Sequence, residues 1–185
     1  MDRHNSVTRA YMIPGQTWPS ELCWLYDNLR NSYIHVEVGV FCGRSLFTSC
    51  CAIQNGTVYA VDRENIDINN FPWPDVQWPT DVLNATIAAI NATVPNVKLT
   101  LLQIGSLQAA RQLVNLRIDS VFIDAGHEYE HAVGDIEAWL PLIREGGLIC
   151  GHDYDSGHPG VRDAVNYLLP GFSIVPDTRI WYKRV

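Results

Sequence analysis

Residues 34–46, Ile-His-Val-Glu-Val-Gly-Val-Phe-Cys-Gly-Arg-Ser-Leu, constrain the fold more than any other stretch of this chain. The β-branched Ile34, Val36 and Val38 suit a buried strand, which breaks at Gly39 and Gly43 before an apolar segment, Ser45 to Ile53, that reads as helix. A strand, a glycine turn and a helix in that order open a crevice over the carboxyl end of a parallel strand, against a helix N-terminus. A tight turn with no ligand is the plain alternative for the glycines alone. Gly39-x-x-x-Gly43 lacks the third glycine of a dinucleotide fingerprint, and Glu37 would repel phosphates while attracting or orienting a cation. A pyrophosphate cradle is poorly supported.

The same alternation continues downstream. Thr57 to Val61 reads as a second strand, 81–94 as a helix, Val97 to Ile104 as a third strand and Gln108 to Val114 as a short helix. Ser120 to Ile123 is a fourth strand. Glu130 to Arg144 shows a helical face of Val133, Ile136, Leu140 and Ile143, stopped by Gly146-Gly147 before a fifth strand, Leu148 to Cys150. Val161 to Leu169 reads as helix, and 172–175 and 179–184 as an antiparallel edge hairpin around Pro176-Asp177. The fold class expected is α/β: a doubly wound, mostly parallel Rossmann-like sheet with an antiparallel C-terminal edge.

At 185 residues the chain is expected to form one domain, with 1–32 as an N-terminal helical or lid segment and 33–185 as the core. Thirteen basic residues scattered among twenty acids, net charge −7, argue against a nucleic-acid surface and for a small-molecule partner. No apolar run is long enough for a membrane helix, and the polar start lacks the apolar core of a signal peptide. Five cysteines without metal-ligand spacing suggest free thiols and a cytoplasmic protein, so the sequons at Asn55, Asn84 and Asn91 would be chance matches. The segment 64–80, rich in Pro and Trp, is a long loop expected to be a functional rim or a packed cap; the stretch with Tyr11, Met12, Pro14, Gly15 and Trp18 is open to the same two readings.

In a doubly wound sheet the residues just after each strand share one rim. Here that rim is acidic: Asp62 follows the second strand, Asp124 the fourth and His152-Asp153 the fifth, with His127 and His158 a little farther on. Asp62 stands where a carboxylate takes both hydroxyls of a ribose. Asp124, His127, His152 and Asp153 admit two readings: a hard divalent cation such as Mg²⁺ held by carboxylates, or a metal-free site in which a histidine removes a proton.

Together, Val36-Glu-Val-Gly-x-x-x-Gly-x-Ser45, Tyr59-Ala-Val-Asp62, Phe122-Ile-Asp-Ala-Gly-His-Glu-Tyr129 and Gly146-Gly-Leu-Ile-Cys-Gly-His-Asp-Tyr154 resemble the class I S-adenosylmethionine-dependent methyltransferases, nearest to small bacterial O-methyltransferases acting on sugars and natural products. The resemblance implies a sulfonium cofactor, S-adenosyl-L-methionine. It places Glu37, Gly39 and Gly43 at the methionine pocket, Asp62 at the ribose, Gly105 and Ser106 beside the adenine and Asp124 near the cofactor's amino end, with Phe41, Ser45 and Arg63 also among the cofactor-binding residues. In metal-dependent relatives the ligands map to Asp124, His152 and Asp153. His152 replaces a carboxylate or amide there, and Gly126 replaces a second Asp, which shifts weight to His127 as proton acceptor.

The expected activity is methyl transfer to a hydroxyl of a small-molecule acceptor, with Asp124, His127 and His152 as catalytic candidates. A second copy could complete the site as a homodimer. A nicotinamide oxidoreductase on the same sheet and a non-catalytic cofactor-binding or assembly protein are the rivals.

Overall fold

The computed structural model describes residues 1–63 and 79–185; most of the 64–80 loop therefore lies outside the described residues. The first strand, β1 (Ile34–Val38), is followed by α3 (Arg44–Ile53), and β2 (Gly56–Val61) by α4 (Pro79–Thr93). Next come β3 (Val97–Leu102), α5 (Ser106–Gln112), β4 (Ile118–Ile123) and α6 (Tyr129–Trp139). The chain ends with β5 (Ile143–Gly151), α7 (Pro159–Leu168), β6 (Ser173–Ile174) and β7 (Trp181–Arg184). Two helices precede the sheet, α1 (Arg3–Tyr11) and α2 (Pro19–Leu29).

The strands form one sheet in the order β3-β2-β1-β4-β5-β7-β6. The first five are parallel, and β7 runs antiparallel to both neighbours. The period-2 geometry of a strand divides its side chains between two helical layers. On β4, Phe122 packs with α1, α2, α3 and α4, while Val121 and Ile123 pack with α5, α6 and α7. Both faces are covered, so the parallel strands read as apolar runs. Segment 1–32 contributes Leu22, Leu25 and Leu29 to the first layer.

The structure departs from the sequence expectation after α6. The helix stops at Trp139, a 3₁₀ turn covers Leu140–Leu142, and Ile143 and Arg144 already belong to β5. Pro141 lacks an N–H and cannot continue the hydrogen-bond ladder of the helix, so the apolar spacing continued where the helix could not. Gly146-Gly147 sits inside β5, at an irregularity where the register slips from Ile118↔Ile143 to Ser120↔Leu148.

The chain winds outward from β1 through β2 to β3, then returns to the other side of β1 to lay down β4 and β5. The reversal between β1 and β4 is the position at which open α/β sheets carry their ligand crevice. Ladder bonds run one residue past each strand. Gly39 N donates to Val61 O (2.9 Å), Asp62 N to Leu102 O (3.1 Å), Asp124 N to Val38 O (2.8 Å) and His152 N to Ile123 O (3.0 Å). That register brings all four residues to one rim.

Candidate active site

A cleft of about 690 Å³ lies over this rim, within the usual range for small-ligand sites. Gly39, at φ +83°, forms its floor: a Cβ there would lie 1.8 Å from the Asp124 carbonyl oxygen. Only glycine lets β1 and β4 approach this closely. Of the residues singled out from the sequence, Gly39, Phe41, Ser45, Asp62, Arg63, Gly105, Ser106, Asp124, His127, His152 and Asp153 all line the cleft.

Glu37 and Gly43 are not among the lining residues. Glu37 is fully buried, and its two oxygens accept from Ser45 Oγ (2.8 Å) and Ser49 Oγ (3.0 Å) on α3. It borders the cleft through Ser45 and ties α3 to β1, with His35 Nε2 3.8 Å from its Oε2. Gly43, at φ +86°, is the residue before α3, and a Cβ there would press on Thr86 of α4.

Asp62 has a different role at the turn. Its Oδ2 accepts from Val40 N and from Phe41 N, both at 2.8 Å. The backbone donors that a phosphate would need at this turn are already satisfied by a carboxylate, which adds a negative charge of its own.

On the opposite side of the cleft lies a network of ion pairs. His152, 3% exposed, has Nδ1 3.1 Å from Asp153 Oδ1 and 3.7 Å from Asp124 Oδ1. Its Nε2 lies 3.1 Å from Glu21 Oε2, an ion-pair distance outside hydrogen-bond geometry. Burial disfavours the imidazolium, but Asp153 and Glu21, reinforced by Asp124, outweigh it and raise the pKa to about 10. The same pairing acts on the acids. Burial pushes Asp153 and Glu21 up, yet the histidines, and for Glu21 also the backbone N–H groups of Trp18 and Arg179, hold both below their ordinary values. Asp124 is raised, by burial first and by the charges of Asp153 and Glu37, against His152 and His127.

His127 stands half exposed at the cleft, with Nε2 3.0 Å from Asp153 Oδ2. Contact with Asp153 raises its pKa over the opposing effect of burial, with Asp124 adding to the rise. Beside it, His158 Nδ1 contacts Asp155 Oδ1 (2.9 Å), and Arg179 NH1 approaches Asp153 Oδ1 (3.5 Å).

The donor atoms of Asp124, His152 and Asp153 lie within 4.8 Å of one another, a spacing that suits a cation. Their charges do not suit Mg²⁺. A histidine that faces carboxylates through both nitrogens carries two protons and has no lone pair to give, and Mg²⁺ favours oxygen ligands. The Asp153 oxygens already meet His127, His152 and Arg179. With His152 held in its protonated form and Arg179 against Asp153, this donor set is a poor match for Mg²⁺.

Glu21 and Arg179 were not apparent from the sequence. Glu21 accepts from Trp18 N (2.7 Å) and Arg179 N (3.0 Å), and Arg179 NH2 donates to Gln16 O (2.9 Å). Arg44, the first residue of α3, donates to Ile13 O (2.6 Å) and Thr17 O (3.0 Å). Two arginines thereby fasten the Pro14–Thr17 loop, which lines the cleft.

Residues 36–154 match the sequence profile of a family described as "Methyltransferase domain". Among solved structures, an O-methyltransferase from Bacillus cereus in complex with SAH is 15% identical, with a TM-score of 0.67 over 100% of this chain and 93% of that one. The apo form of CalS11, a TDP-rhamnose 3'-O-methyltransferase of calicheamicin biosynthesis, is 15% identical (TM-score 0.65; 98% and 93% covered). The O-methyltransferase TomG from Streptomyces achromogenes, of tomaymycin synthesis and in complex with SAM, is 15% identical (TM-score 0.64; 97% and 86% covered). With its doubly wound sheet, its glycine turn and a profile match over most of its length, the chain belongs to the methyltransferase-domain family.

Proposed function

We propose that this enzyme transfers the methyl group of S-adenosylmethionine to a hydroxyl of a small molecule, without a metal ion. The observation that carries the reading is Asp62 closing the glycine turn. By taking the Val40 and Phe41 N–H groups it leaves no phosphate cradle, which counts against a nicotinamide dinucleotide, while a carboxylate is the natural acceptor for a ribose diol. Asp124 supplies negative charge for an ammonium and sulfonium farther along the cleft.

S-adenosylmethionine supplies an electrophilic methyl group. The protein's part is to align the acceptor oxygen opposite the sulfur and receive its proton; alignment contributes much of the rate in such displacements. The C–O bond forms as the C–S bond breaks, and the hydroxyl proton passes to His127. With Nε2 facing Asp153, Nδ1 is the nitrogen that takes it, and Asp153 stabilises the imidazolium formed. His152, already cationic, holds Asp153 and Asp124 in place. The similar structures of a sugar and a natural-product O-methyltransferase support an acceptor of that class. All five cysteines are free thiols, in keeping with a reducing compartment.

Calorimetry with S-adenosylhomocysteine and NADH tests the cofactor: the first is expected to bind and the second not, and the reverse would overturn the reading. Methyl transfer to a panel of sugar and phenolic hydroxyls, expected to proceed equally in EDTA and in Mg²⁺, tests the metal-free chemistry. Turnover only with Mg²⁺ would restore the metal at Asp124 and Asp153.

A further inference from the structure

His158 and Asp155, in the loop between β5 and α7, have no part in the chemistry above. Asp155 Oδ1 accepts from Gly157 N (2.7 Å) and His158 N (3.1 Å), which folds that loop back on itself. The start of α7 then packs closely on the loop after β4: a Cβ on Gly160 would lie 2.5 Å from the His127 carbonyl oxygen. The two imidazoles meet as a result, with the ring centroids of His127 and His158 4.5 Å apart.

Two carboxylates share this contact. His127 Nε2 is 3.0 Å from Asp153 Oδ2, and His158 Nδ1 is 3.7 Å from Asp153 Oδ1 and 2.9 Å from Asp155 Oδ1. The donor atoms of His127, Asp153 and His158 all lie within 4.8 Å of one another. Zn²⁺, with tetrahedral bonds of about 2.0–2.1 Å, sets its ligand atoms about 3.3–3.4 Å apart, and the measured separations fall on both sides of that value. Imidazole with carboxylate is also the donor chemistry that Zn²⁺ accepts and Mg²⁺ does not favour. Charge agrees with geometry. Glu21, Asp124, Asp153 and Asp155 surround two cations, His152 and Arg179, the latter 3.5 Å from Asp153 and 4.0 Å from Asp155. Four carboxylates against two cations leave two negative charges, the balance for one dication.

We propose that His127 Nε2, His158 Nδ1, Asp153 and Asp155 form a site for a Zn²⁺-like transition-metal ion, separate from the trio of Asp124, His152 and Asp153, and that its occupancy switches the enzyme off. The second half rests on the methyl-transfer reading. A neutral imidazole has one proton and one lone pair. Once Nε2 of His127 gives its lone pair to the metal, the ring proton stays on Nδ1, the nitrogen that otherwise receives the acceptor's proton, and the base is blocked. His158 and Asp155 belong to the metal site alone, so His158 separates metal binding from catalysis.

Calorimetry of the intact chain at pH 8 with ZnCl₂ tests the site. Zn²⁺ is expected to bind with excess MgCl₂ leaving the titration unchanged, and CoCl₂ to give the visible spectrum of a tetrahedral ion. His158→Ala and His158→Gln should each weaken Zn²⁺ by roughly 10-fold or more, since loss of even an outer partner of a metal costs about 10- to 100-fold, while Asp124→Asn should retain it. Methyl transfer should stop in ZnCl₂ and return in EDTA, and His158→Ala should work at the wild-type rate and resist Zn²⁺. No Zn²⁺ binding by wild type, or binding that survives both His158 variants and is lost in Asp124→Asn, would overturn the inference, as would a Zn²⁺-loaded enzyme that transfers methyl at full rate. Zn²⁺ binding with the expected His158 dependence, by a protein that takes up no S-adenosylhomocysteine, would support the metal site and overturn only the cofactor reading.

Discussion

Glu21 is the residue whose replacement most directly tests the metal-free site. Glu21→Gln preserves shape but removes the charge facing the His152 imidazolium at 3.1 Å. It also places an amide N–H₂ where an acceptor is required, since Oε1 serves Arg179 N and Oε2 serves Trp18 N. Holding the His152 proton to about pH 10 from an ordinary 6.5 corresponds to roughly 5 kcal/mol at ~1.4 kcal/mol per decade. That figure is net of the opposing burial, and Glu21 and Asp153 are the two carboxylates at contact distance, so removing the Glu21 charge is expected to cost on the order of 2 kcal/mol. The backbone donor left facing an amide adds about 1–3 kcal/mol. The expected loss is therefore about 3–5 kcal/mol, the range for breaking one side of a buried ion pair.

Urea denaturation of wild type and Glu21→Gln between pH 6 and 11 measures this loss. His152 has its pKa raised on folding, so its contribution is fully present below about pH 6.5 and disappears as pH rises through about 10. Glu21 has its pKa lowered, so its contribution is present above its ordinary 4.5 and is lost in acid. The stability gap should be widest near pH 6.5, narrow as pH rises toward 10 and level off above it. Imidazole NMR gives a second readout: His152 should keep both protons at pH 8 in wild type. A variant within 1 kcal/mol of wild type, together with a His152 that titrates near 6.5, would falsify the caged-imidazolium argument and reopen the metal reading.

Gly39→Ala is expected to cost about 1–2 kcal/mol for the left-handed backbone and more for the overlap with Asp124, and to abolish S-adenosylhomocysteine binding; Gly105→Ala, with no heavy atom within 4 Å of its new Cβ, should unfold like wild type in the same urea titration. His127 works only when neutral and has its pKa raised, so kcat should climb with pH through a midpoint above 6.5, and His127→Asn should lose that limb along with most of the rate. Of the five thiols, half-buried Cys23 alone should react quickly with a disulfide reagent in the native protein, because Cys42, Cys50, Cys51 and Cys150 are buried and burial raises their pKa values; two or more fast thiols would contradict the packing of α3 on the sheet.

The rim was legible in the sequence because a parallel strand ends in a fixed way: a β-branched run followed by one non-helical residue marks where the ladder stops. Gly39, Asp62, Asp124 and His152 each occupy that place, and the ladder bonds explain why they meet. Glu21 and Arg179 were not legible, because the backbone bond between them spans 158 residues and depends on α2 docking beside β7. A glutamate after Trp-Pro-Ser reads as the first turn of a helix, which it is, and nothing in that local pattern says that the turn will be buried against a histidine. The end of α6 differs for the opposite reason: the apolar spacing runs on past Trp139, while Pro141 ends the helical ladder.

The carboxylate at the glycine turn shows how a sign can be read correctly from the wrong residue. In the sequence Glu37 is the acid nearest the turn, but in the fold its two oxygens accept from two serine hydroxyls of α3. Asp62, from the neighbouring strand, excludes them, and does so by occupying the donors as well as by charge. Charge alone acts at a distance and is weakened by solvent, whereas an occupied donor cannot be shared without breaking a bond. Replacing Asp62 by Asn would thus remove the charge while keeping an acceptor for the turn, and phosphate should still be refused; Asp62→Ala should release both N–H groups from the carboxylate and admit it. The refusal of a phosphate expected at this turn accordingly rests on hydrogen-bond occupancy more than on electrostatic repulsion.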